Sequence, residues 1–228
     1  MPARLHVTLA IAAVLAGLFG TGTAGAQSAC DALAGTLDPD QTCHVHDTGA
    51  GYQLDLGFPA GYPDQQALTD YLVPLRDDFV EFAQSPRNDR SYTLTATPTT
   101  YRAGGTEAVV IQLSQDADPH PVSWYRAFNY DLVRHAPITL DTLFTPGTRP
   151  VDVAFPAVRR ELEKRWQPEV LADMLGDVDD DTFSEFALTD DAVIFFFGQG
   201  RLLGHPEGPL EVSVPRAELA PWLARALR

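Results

Sequence analysis

Five histidines and seven serines follow residue 26, and they are the material from which an acyl-transfer site could be built. The histidines are His44, His46, His120, His135 and His205; the serines are Ser28, Ser85, Ser91, Ser114, Ser123, Ser184 and Ser213. That chemistry needs a nucleophile, a base within hydrogen-bond reach and donors for the developing oxyanion. No local spacing selects a pair. The Gly-x-Ser-x-Gly elbow is absent, and Ser-x-x-Lys is excluded because Glu161 stands three residues before the single lysine, Lys164. A triad is defined by geometry and not by order along the chain, so these residues could form one only by assembly in space. No catalytic residue is assigned.

Two other clusters invite a metal reading. His44 and His46 would share one face of a strand, but no third ligand follows at a standard spacing. They read as surface histidines beside a disulfide. In the acidic run from Gly176 to Glu185, Asp177, Asp179 and Asp181 match the first three ligand positions of a calcium loop. Thr182 stands where that loop needs glycine, and Leu188 where it needs the bidentate glutamate. The run therefore reads as a solvated loop with capping aspartates. No glycine loop followed by lysine is present to cradle a phosphate. No metal and no cofactor is assigned.

The elements that must position these residues follow from hydrophobic spacing. Tyr52, Leu54, Leu56 and Phe58 alternate with Gln53, Asp55 and Gly57, which predicts a half-buried strand. Leu68, Tyr71, Leu72, Leu75, Phe79 and Phe82 recur at helical spacing after Asp64, a helix cap, with a kink or break expected at Pro74. A polar connection is expected from Ser85 to Asp89. Strands follow around Leu94, Ile111 and Phe128. Residues 137–144 read as an irregular connection, and a second helix is expected from near Pro156 to Trp166. Phe183 to Leu188 and Ala192 to Phe197 suggest a hairpin across Thr189, Asp190 and Asp191. In its second arm Val193, Phe195 and Phe197 face one side, and Ile194 and Phe196 the other. Such a strand is covered on both faces. Trp124, Arg126, Phe128 and Tyr130 share one face of their strand and form the candidate binding face, since aromatic rings there can stack on sugars or proteins. Strands and helices without regular βαβ alternation give an α+β domain whose mostly antiparallel sheet lies on the helices.

Bulk features place this domain outside the cytoplasm. Residues 1–26 read as a cleaved export signal: a short polar head with Arg4 and His6, an apolar stretch from Val7 to Phe19, and small residues up to Ala26. Residues 27–228 are expected to form one domain. Cys30 and Cys43, the only cysteines, are expected to form one N-terminal disulfide. The formal charge is -15, and losing the signal, which holds Arg4 and no acid, takes it to -16. Such a charge disfavours nucleic acid and anionic membranes and favours a cationic partner. No later stretch is apolar for long enough to span a membrane.

The pair Cys30…Cys43 is followed in order by GYPDQQALTDYLVPLRDDF, YRAFNYDLVRHAPITLDTLF, FPAVRRELEKRW, FALTDDAVIFFFGQGRLL and GPLEVSVPRAEL. Together these segments resemble the secreted mycobacterial immunogenic-protein family. Within it, residues 125–216 resemble the RsiV-like sensor domain of a lysozyme-binding anti-sigma factor. The resemblance implies a β-grasp-like fold in which a curved sheet wraps a helix, and a role at or outside the cell envelope. It implies either protein binding, with lysozyme as the type of cationic partner, or a carboxylesterase activity on short acyl esters. No motif carries lysozyme-contacting residues over to this chain. Unlike the anti-sigma factors, the sequence shows neither a transmembrane stretch nor a sigma-binding segment, which leaves the extracytoplasmic module alone.

Overall fold

The computed structural model describes residues 22–85, 90–116 and 120–228. The expected export signal lies outside this range except for residues 22–26, and residues 86–89 of the expected polar connection also lie outside it. Helix α1 (Gly22–Ala32) leads into β1 (Thr36–Leu37), β2 (Thr42–Gly49) and β3 (Tyr52–Pro59). Helix α2 (Gln65–Ala83) follows, then β4 (Tyr92–Ala103), β5 (Thr106–Asp116), β6 (Val122–Asp131) and β7 (Ala136–Pro137). These seven strands form one sheet in sequence order. Every pairing in it is antiparallel except β3 with β4. That parallel pair requires a crossover, which α2 supplies.

The rest of the chain builds a second layer. Helices α3 (Leu140–Leu143), α4 (Pro150–Leu162) and α5 (Pro168–Met174) precede β8 (Phe186–Leu188), β9 (Ala192–Phe197) and β10 (Leu210–Pro215). A last short helix, α6, spans Arg216–Leu219. The three strands form a separate antiparallel sheet with β9 in the middle.

Alternation of side chains explains how the layers stack. On β3, Leu54, Leu56 and Phe58 are fully buried while Gln53 and Asp55 are exposed. They join Val109, Ile111 and Leu113 of β5 in a core closed by Leu68, Leu72 and Phe79 of α2. The next residues on β5, Ala108 and Val110, face the opposite way and meet Tyr125, Ala187 and Phe196. Phe196 thus packs between the two sheets. Its neighbours Val193, Phe195 and Phe197 point into a third core with Ala154, Val158 and Leu162 of α4. The phenylalanine run is a central strand covered on both faces, as its spacing predicts.

Several boundaries depart from the periodicity. α2 runs through Pro74 without a break, because Pro74 is exposed while Leu68, Leu72, Phe79 and Ala83 anchor the buried stripe. α4 begins at Pro150, not near Pro156, and ends before Trp166. Pro150 occupies the first helical position, where the missing N–H costs nothing. Residues 137–144 include the end of β7 and all of α3, whose first turn is tied by Thr142 Oγ1 accepting from Thr139 N at 2.8 Å. Phe183 ends a 3₁₀ turn and does not start β8. Asp179 accepts from Thr182 N at 2.9 Å and Thr182 Oγ1 at 2.7 Å, which closes that turn. Asp180 accepts from Val151 N at 2.9 Å and so satisfies an open donor at the start of α4.

Candidate functional site

The four residues of the candidate binding face lie on the α2 side of β6. Trp124 Nε1 donates to Tyr71 Oη at 3.0 Å, which fastens α2 to the strand. The Arg126 guanidinium lies over two rings, 5.4 Å from the centre of Tyr71 and 5.6 Å from that of Phe128. Tyr71 meets Phe128 edge-on at 5.9 Å, and Tyr62 meets Tyr130 at 6.5 Å. Trp124 and Tyr130 are half-buried, Phe128 is buried and Arg126 is exposed. The guanidinium therefore rests against aromatic surface while staying open to solvent.

A cleft of about 410 Å³ opens where this face meets the start of α2. Arg126, Phe128 and Ile138 line the strand side; Tyr62, Ala67 and Tyr71 line the helix side. Two carboxylates, Asp64 and Asp70, also line it. Asp64 accepts from Ala67 N at 3.4 Å and caps α2. Asp70 accepts from Gln66 Nε2 at 2.6 Å, one turn away. Burial pushes the Tyr62 hydroxyl well above its ordinary range, and burial likewise raises that of Tyr71. Both phenols stay neutral and can donate to an incoming acceptor.

Glu185 reaches the same strand from the second layer. Its carboxylate accepts from Ala127 N on the outer edge of β6, and Arg126 Nη1 lies 3.4 Å away. Burial raises the Glu185 carboxyl above its ordinary 4.5, against the lowering effects of Ala127 N and Arg126. The folded state thus holds this proton more tightly than the unfolded chain does. The resulting stabilisation is present below the ordinary value and is lost as pH rises through the folded one. Glu185→Gln retains an acceptor for Ala127 N and abolishes that loss. Urea midpoints at pH 4 and pH 7 should show the variant gaining stability relative to the parent as pH rises. A relative loss would refute this reading of the carboxylate.

The spacing on β6 pointed to Trp124, Arg126, Phe128 and Tyr130 but not to their partners across the cleft. Tyr71 follows the helical stripe of α2, yet nothing local marks its hydroxyl. Glu185 lies in an acidic run that resembled a cation loop. His44 and His46 are exposed on β2, and His44 Nε2 lies 3.5 Å from Asp38. No group of three or more His, Cys, Asp or Glu side chains suited to a metal ion occurs among the described residues. The expected disulfide between Cys30 and Cys43 is formed, and both residues are buried.

With the architecture in view, comparison with known proteins is informative. Two DUF3298-family crystal structures share the fold. One, from Pseudomonas aeruginosa PAO1, superposes with a TM-score of 0.61 at 15% identity, covering 84% of this chain and 97% of that one. The other, from Bacteroides fragilis, gives 0.55 at 16% identity, covering 83% and 94%. The family described as protein of unknown function DUF3298 matches residues 141–217. The esterase Rv3036c of Mycobacterium tuberculosis is 43% identical over 223 residues, 95% of this chain and 97% of its own. Immunogenic protein MPT64 of the same species and MPB64 of Mycobacterium bovis are each 38% identical over the same extents. The chain belongs to the mycobacterial immunogenic-protein family.

Because one relative in this immunogenic-protein family is named an esterase, the arrangement of serines and histidines matters. Ser123 Oγ donates to Ser114 Oγ at 3.2 Å on neighbouring strands. Among the described residues no serine hydroxyl is hydrogen-bonded to a histidine. Among the described residues, neither type lines the cleft beside β6. What it offers is aromatic surface, two carboxylates and one stacked guanidinium.

Proposed function

We propose that this protein is an exported, non-catalytic binding domain that holds a cationic protein partner in the cleft beside β6. The observation that carries the reading is that Asp64 and Asp70 line one cleft together with Tyr62, Tyr71 and Phe128. A lysine or arginine side chain entering there would meet the carboxylates of Asp64 and Asp70. The strongly negative formal charge would steer such a partner inward. Export is supported by the N-terminal signal pattern and by the Cys30–Cys43 disulfide. Among the described residues no helix is long and apolar enough to cross a membrane. We read residues 27–228 as one β-grasp-like domain, with residues 125–216 as its RsiV-like part. Lysozyme is accordingly the first partner to try.

Calorimetric titration of the mature protein with lysozyme at low and moderate salt tests this. Saturable binding that persists at moderate salt is expected. Asp64→Asn with Asp70→Asn should raise Kd about five-fold or more, since each removes an attractive rim charge. Heat that fades steadily with salt, and is unchanged in the double variant, would show only nonspecific attraction.

A carboxylesterase acting on short acyl esters is the second reading, favoured by the 43% identity to esterase Rv3036c. It predicts turnover of a chromogenic short-chain ester by the purified protein. If turnover occurs, replacing each mature serine in turn by alanine identifies the nucleophile or eliminates a serine mechanism.

A further inference from the structure

Beyond Pro137 and Ile138, the surface changes sign. Two adjoining clefts of about 300 and 390 Å³ lie there and share Asp131, Arg134 and Ala226. Between them they are lined by Arg134, Arg216, Arg225 and Arg228, and among the described residues Asp131 is the sole side-chain carboxylate in either lining. Asp131 is already engaged: its carboxylate accepts from Val133 N at 2.9 Å, Arg134 N at 2.8 Å and Arg134 Nη1 at 2.9 Å. Arg216 donates to carbonyl oxygens, to Thr189 O at 2.8 Å and Leu227 O at 2.7 Å. Arg228 likewise donates to Leu223 O at 3.0 Å and Pro221 O at 3.3 Å. Carbonyls fix these guanidinium planes without neutralising them. Arg225 is exposed and enters no ion pair among the described residues. Positive charge is thus concentrated and held in place on a chain of formal charge -15.

We propose that these two clefts form a docking surface for an acidic peptide segment of a partner protein. Guanidinium forks match carboxylates in two-point hydrogen bonding, and the fixed ones lose little freedom on binding. The clefts meet along the Asp131–Arg134 turn, so the surface is elongated and suits a chain more than a compact anion. Val133, which is 77% exposed, offers that chain an apolar contact. A flat anionic membrane could not enter the concavities and would face the negative charge of the whole molecule. A peptide inside them feels chiefly the local field, because charges beyond about 8 Å are screened at physiological salt.

The experiment is calorimetric titration of the full chain with hexaglutamate, with hexaglutamine as the neutral control. Saturable binding of hexaglutamate alone is expected. Arg134→Gln with Arg225→Gln should weaken it about ten-fold or more, since hydrogen bonds to charged groups are lost at two exposed positions. An unchanged thermal midpoint would confirm that the double variant is folded. Asp64→Asn with Asp70→Asn should leave hexaglutamate binding intact, which separates this surface from the lysozyme cleft. The proposal is overturned by absent saturation, by equal binding of hexaglutamine, or by full affinity in the arginine variant. Capture by phosphatidylserine vesicles without peptide binding would overturn it in favour of a membrane contact, and inorganic phosphate matching hexaglutamate would reduce it to a compact anion site.

Discussion

Replacing Phe195 with alanine should lower the unfolding free energy by about 3–5 kcal/mol. The ring is fully buried at the centre of β9, the middle strand of the second sheet. It meets Phe183 edge-on at 5.5 Å and faces the helix α4 core. Truncation removes apolar area from burial and leaves a cavity. Neighbours on two sides of the strand are held by other contacts, so they can close it only partly. Ile194, which points the other way and is only partly buried, provides the control. Ile194→Ala should cost less, because its side chain already keeps some contact with water. Urea unfolding checks both: the midpoint should fall further for Phe195→Ala, with the slope unchanged if the transition remains two-state. Equal effects at the two positions would mean that β9 is not the enclosed strand described above.

The second large effect is expected at the disulfide. Cys30 and Cys43 are fully buried and 13 residues apart in sequence. Bridging a loop of this length stabilises by roughly 3 kcal/mol through the entropy it removes from the unfolded chain. The double variant Cys30→Ser with Cys43→Ser should lose about that much, and somewhat more because two hydroxyls replace buried sulfurs. The loss should fall unevenly over the molecule. α1, β1 and β2 border the first core, while Phe195 belongs to another. Hydrogen exchange should therefore rise first at Val45 and Leu33, with little change at Val193 below global unfolding. Uniform acceleration at all three would show that the bridge supports the whole fold equally. The Gly35 position limits rescue by larger side chains, since a Cβ there would lie 2.5 Å from Cys43 Sγ.

What could be read along the chain was whatever depends on neighbouring residues. The alternation in Tyr52–Phe58 and in Val193–Phe197 anticipated which side chains are enclosed, because a strand turns successive side chains to opposite faces whatever lies beyond them. The cysteine pair followed from its number and short separation. Composition and the N-terminal pattern framed the expectation of export. Proline positions were a weaker guide. Pro74 and Pro156 both lie inside helices, where packing of the buried stripe outweighs one missing hydrogen bond.

The candidate site depended on contacts that no local period encodes. Tyr71 and Trp124 are joined across 53 positions, and Glu185 reaches Ala127 across 58. The parallel pairing of β3 with β4 swings α2 over the sheet, and only that crossover brings Asp64 and Asp70 to the edge of β6. The four arginines, from three separate segments, likewise converge only once the C-terminal residues fold back beside the β6–β7 turn. Short-range pattern reports the geometry of one backbone segment. Which segments become neighbours is settled by the collective burial of three cores, so the amino-acid sequence alone determined the enclosed strands and the bridge, and tertiary packing decided where charge and aromatic surface meet.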